Sequence, residues 1–166
     1  MRMKWLRVVA PFIVFFVFVT YPHLQTVLAV NSPEKSTLKI TNLAAPDNDI
    51  PDDLYFLLQV KVDGLLLPEG TIYVTEKESR TIETAGQMLL RVNETIVLEN
   101  MFLPESKFQI TELSAALDGY QPVYEGAVTP DGSTESSMDG ISGIFPTDGE
   151  VHITVVNAAN NSRQSR

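Results

Sequence analysis

Between residues 37 and 157 apolar side chains recur at every second position in short runs, and clusters of Pro, Gly, Asn and Asp separate the runs. A period of two is the repeat of an extended strand, whose successive side chains point to opposite faces. No stretch sustains the i, i+3, i+4, i+7 spacing of an amphipathic helix, apart from one turn around Ser114 to Leu117. Runs that read as strands fall near 37–43, 53–62, 70–76, 87–91, 95–99, 106–112, 120–128 and 150–157. Seven to eight short strands at this spacing predict an all-β fold, a β-sandwich of two packed sheets. The stretch from Thr129 to Gly149, rich in Gly, Ser, Asp and Thr, reads as a long, mobile connection before the last strand.

Parity then assigns faces. In 53–62 the inward set is Leu54, Phe56, Leu58, Val60 and Val62; in 106–112 it is Phe108, Ile110 and Glu112. Leu38, Ile40 and Asn42 share a face in the first strand, and Val151, Ile153, Val155 and Asn157 share one in the last. Three polar residues, Asn42, Glu112 and Asn157, thus end three apolar faces. Either the strands stop there and the groups sit at a wet rim, or the groups are buried and must find one another, because an unpartnered buried amide or carboxylate is costly.

The N-terminus is a different kind of sequence. Arg2, Lys4 and Arg7 precede an almost wholly apolar run from Val8 to Val19, and Val27 and Ala29 form a small-residue cleavage pattern. This reads as an export signal over 1–29, with an uncleaved membrane anchor over Trp5 to Tyr21 as the alternative. A linker over 30–36, a β-sandwich over 37–158 and a polar tail over 159–166 follow. From residue 30 onward 21 acidic side chains face nine basic ones, within a whole-chain charge of −9. So acidic a domain repels phosphate backbones and anionic lipid, which argues against nucleic acid as a partner and confines membrane contact to the N-terminal segment.

The chain has no cysteine, which removes disulfides, thiolate metal sites and cysteine nucleophiles together. His152 stands on the polar face of the last strand, without the additional ligands a zinc site needs. The serines between Ser133 and Ser142 lack a G-x-S-x-G elbow and a histidine base. Asp47, Asp49, Asp52 and Asp53 do not follow EF-hand spacing and read as a solvated turn. Neither a cofactor nor a catalytic constellation is expected.

The order of segments carries a resemblance. "LKITN", "LYFLLQV", "GTIYV", "LLRVNETIVLENMFLPESKFQITEL", "DGYQPVY" and "HITVVN" succeed one another over residues 37–158 in a way that resembles the Cna-B-like domains of Gram-positive surface adhesins and pilins. The resemblance implies an immunoglobulin-like sandwich used as a stalk, spacer or fibre unit at the cell surface. It also implies an intramolecular isopeptide bond between a first-strand lysine and a last-strand asparagine, assisted by a middle-strand glutamate. Glu112 matches that glutamate and Asn157 that asparagine. Where the family has its lysine this chain has Asn42, and Lys39 lies on the opposite face by parity. The expectation is therefore a hydrogen-bonded cluster of Asn42, Glu112 and Asn157; a crosslink through Lys39 would require a bulge in the first strand.

Together these readings point to a non-enzymatic structural or adhesive module, secreted or at the cell surface, whose partners are other surface proteins or host and matrix ligands. The rival is a secreted β-sandwich that recognises sugar or protein through loops 113–119 and 129–149.

Overall fold

The computed structural model describes residues 34–159 except Asp47, residues 116–118 and Pro130. The segment 1–29 read as an export signal, residues 30–33 of the expected linker and residues 160–166 of the expected tail lie outside that range. Among the described residues twelve strands run in chain order: β1 Ser36–Ala44, β2 Tyr55–Val62, β3 Leu65–Leu66, β4 Ile72–Val74, β5 Ser79–Thr81, β6 Gln87–Arg91, β7 Glu94–Phe102, β8 Lys107–Glu112, β9 Tyr120–Thr129, β10 Ser133–Ser137, β11 Gly140–Ile144 and β12 Glu150–Ala159. They form a β-sandwich of two sheets. The first has the order β5-β4-β7-β1-β12-β9; the second has the order β10-β11-β8-β2-β3, with β6 also paired to β2.

The inward faces meet in one apolar core built from Leu38 and Ile40 of β1, Leu58 and Val60 of β2, Phe108 and Ile110 of β8, and Val151, Ile153 and Val155 of β12. These are the residues that alternation assigns inward, and they are essentially inaccessible to water. A smaller cluster of Ile50, Phe56, Val92 and Ala115 lies where β1 ends, with Phe56 edge-on to Tyr120 at 5.7 Å. The β2–β3 turn is the two-residue Asp63-Gly64, both at positive φ (50° and 79°), the geometry favoured in tight hairpins.

The stretch 129–149 is the main departure from expectation. It is not a mobile connection: β10 and β11 form an antiparallel hairpin, and β11 pairs with β8. Two buried side chains hold it down. Ile141 enters the core, and Phe145 stacks on Phe102 at 4.4 Å and leans on Phe108 at 5.0 Å. Its glycines serve close approach, not flexibility. A Cβ on Gly143 would come within 2.1 Å of the Ser133 carbonyl, and one on Gly126 of β9 within 2.7 Å of Thr134. Asp131 completes the closure by accepting from the Thr147 N–H at 2.9 Å and its hydroxyl at 2.6 Å.

Candidate functional site

β1 and β12 lie side by side and parallel, with Asn42 beside Val155 and Ala44 beside Asn157. β8 faces them from the other sheet. The three strands bring Asn42, Glu112 and Asn157 together, at 1 %, 8 % and 0 % exposure. They do not form a rim. The main core lies on one side of them and the Phe56 cluster on the other, so they make a polar layer within the sandwich.

The Asn157 amide is the hub. Its Nδ2 donates to Asn42 Oδ1 at 2.9 Å and to Glu112 Oε2 at 3.1 Å, which satisfies both amide hydrogens. The Glu112 backbone N–H donates to the Tyr124 hydroxyl oxygen at 2.9 Å. Burial pushes the Tyr124 phenol above its ordinary pKa; the carboxylates of Glu112 and Asp139 add to that, and the hydrogen bond from Glu112 offsets part of it. Backbone bonds from Asn93 to the Asn42 carbonyl (2.7 Å) and from Ala45 to the Asn157 carbonyl (2.8 Å) fix both amide residues from outside.

Lys39 is not part of this layer. It projects from the outer face of β1 and pairs with Glu150 of β12 at 2.6 Å. Beside it His152 shares a 2.9 Å hydrogen bond with Thr41 at the surface. Of the two loop regions read as recognition elements, residues 116–118 fall outside the described range and most of 129–149 is the β10–β11 hairpin.

A second polar constellation escapes sequence reasoning altogether. Arg80 of β5 makes a two-pronged ion pair with Glu94 of β7, at 2.9 and 3.2 Å, and also donates to Glu78 at 2.8 Å. Burial alone would lower the pKa of this guanidinium, but the bonds and charges of Glu78 and Glu94 outweigh it and raise the value. The pair caps a sheet edge. Arg80 also donates to the Leu89 carbonyl of β6 at 3.1 Å, Glu94 accepts from the Arg91 N–H at 2.9 Å, and Tyr73 hydrogen-bonds with the Leu89 backbone. Side chains of the first sheet thus take the place of a neighbouring strand along β6. The three-residue β5 has no alternation to read, and nothing local to Glu94 distinguishes it from a hairpin carboxylate.

Comparison with solved structures shows the same sandwich in Gram-positive pilus proteins. The major pilin of Streptococcus pyogenes superposes with a TM-score of 0.57 at 13% identity, covering 76% of this chain and 48% of the pilin. A glutamate-to-alanine variant of that pilin gives 0.55 at 16% identity, over 76% of this chain and 48% of the variant. The pilus-presented adhesin Cpa gives 0.50 at 14% identity, over 77% of this chain and 27% of the adhesin. The chain thus spans about half the length of the pilins it matches. No family profile matches it, and no curated protein matches by sequence. The fold is that of a pilin-type β-sandwich domain.

Proposed function

We propose that this chain is a non-enzymatic extracellular module, used as a load-bearing spacer of pilin type on or near a cell surface. The observation that carries the reading is the placement of the first and last strands of the sandwich in chain order. β1 and β12 are adjacent, parallel and central in the first sheet, in register from Thr37 beside Glu150 to Ala44 beside Asn157. The chain therefore enters the sandwich at one end and leaves at the other, about 25 Å along the ladder. Tension between those points shears the whole ladder at once instead of peeling it bond by bond.

The Asn42–Asn157–Glu112 layer reinforces this load path. It joins the first and last strands to each other and to β8 of the facing sheet, close to where β12 leaves. In the resembled domains a covalent link serves there; here hydrogen bonds stand in its place. The domain is exported through its N-terminal segment, and its partners are neighbouring surface proteins or pilus subunits.

Single-molecule pulling through the two ends tests the reading. A high-force, single-step unfolding event that falls to markedly lower force in Glu112→Ala is expected. A wild-type domain that yields at low force, in several small steps, would rule the spacer role out.

A further inference from the structure

Two edges of this sandwich, β6 and β9, are poor templates for strand addition. β6 is capped by Tyr73, Arg80 and Glu94. The bond between the Ala45 N–H and the Asn157 carbonyl directs that carbonyl towards β1; its partner Pro122 therefore lies on the free side of β9 and deprives that edge of a donor. The ends are acidic, with Asp49, Asp52 and Asp53 at one and Asp63, Glu105 and Asp148 exposed at the other. Contact between copies along β6 or β9, or end to end, is thus disfavoured. The outer sheet faces remain.

Those two faces differ in charge, which the overall acidity conceals. On the outward face of the second sheet, among the described residues, Lys61, Arg91 and Lys107 outnumber two carboxylates, Glu135 and, beside Leu57 and Leu89, Glu83. On the outward face of the first sheet Lys39 and Glu150 neutralise one another and leave Glu99 and Glu125. Both faces also carry apolar side chains in direct register. Leu43, Val156 and Val123 form a row across β1, β12 and β9, and Leu57 sits beside Leu89 across β2 and β6. Val123 is 52% and Leu89 46% exposed.

We infer that these faces are a matched pair for self-association, the cationic outer face of the second sheet docking on the acidic outer face of the first sheet in a second copy. The apolar rows supply contact area and the opposed charges set the orientation. A polyanion fits less well, because it would leave the apolar rows exposed. The contact is heterologous, so successive copies stack in an open-ended series. This inference does not depend on the load-bearing role, since a module of any function could stack in this way.

The absence of cysteine makes the test direct. Gln109→Cys and Thr154→Cys, one on each outer face, lie on opposite sides of the sandwich and can bridge only between copies. Under mild oxidation the double-cysteine chain is expected to give a ladder of cross-linked species, while each single-cysteine chain stays monomeric. In sedimentation velocity, Lys61→Glu with Lys107→Glu weakens association about tenfold or more, and adding Glu99→Lys with Glu125→Lys to the same chain restores it. Ready dimers of the Gln109→Cys chain alone overturn the proposal, since they show like faces meeting. So does a chain that stays monomeric at every concentration and gives no ladder.

Discussion

Asn42 and Asn157 are 115 positions apart and Glu112 lies 45 before Asn157, yet one amide group binds the other two. Removing a member of such a buried layer costs more than a surface hydrogen bond, because the remaining polar groups stay out of water. Glu112→Ala is expected to destabilise the domain by about 2 kcal/mol, read as a lower melting temperature; an unchanged value would show that the layer does not stabilise the sandwich. Position 42 offers a sharper test. In Asn42→Lys the new amine sits where the resembled family carries its lysine. If the layer is competent for that chemistry, the amine nitrogen bonds to the Asn157 amide carbon, the carbon–NH2 bond breaks and ammonia leaves. The intact mass then falls by one ammonia relative to the uncrosslinked variant. Retention of the full mass would show that the layer holds the residues without promoting the reaction.

At the scale of the elements, the sandwich closes its sides with side chains. On one side Tyr73, Arg80 and Glu94 cap β6; on the other Tyr124 caps the Glu112 N–H, beyond the end of β11's pairing with β8. Breaking the Arg80–Glu94 pair leaves a largely buried charge and an uncapped edge together. Arg80→Ala is expected to cost about 3 kcal/mol in denaturant unfolding, and Arg80→Lys most of that, since an ammonium cannot reproduce the two-pronged contact. The two phenols give a pH signature. Burial raises the pKa of Tyr73 and Tyr124 above the ordinary 10.0, so the folded state holds these protons to higher pH than the unfolded chain. Their contribution is complete below the unfolded pKa and is lost as pH rises through the folded values. Unfolding free energy is expected to decline above about pH 10, and to decline less in the Tyr73→Phe, Tyr124→Phe chain. An identical decline in that variant would assign the alkaline loss to other groups.

For the whole molecule, the parallel pairing of β1 and β12 sets the axis, because it places entry and exit at opposite ends. The hairpin of β10 and β11 matters at the same scale, since it extends the second sheet and packs against β9. Replacing Phe145 with Ala should cost about 3–5 kcal/mol and expose 129–149 to proteolysis; resistance equal to the parent would mean that the hairpin is held by other contacts. Alternation by itself predicted a sandwich, which faces of β1, β2, β8 and β12 turn inward, and that Asn42, Glu112 and Asn157 end three of those inward faces, because strand parity is a local property that needs no partner. Tertiary structure decided the rest. Whether three inward polar residues become a rim or a layer depends on the Phe56 cluster that closes over them. Whether a Gly- and Ser-rich stretch is slack or a hairpin depends on two anchors, Ile141 and Phe145, meeting a core assembled from distant strands. The Arg80 clamp and the charge difference between the faces arise only once the sheets set residues from far along the chain side by side.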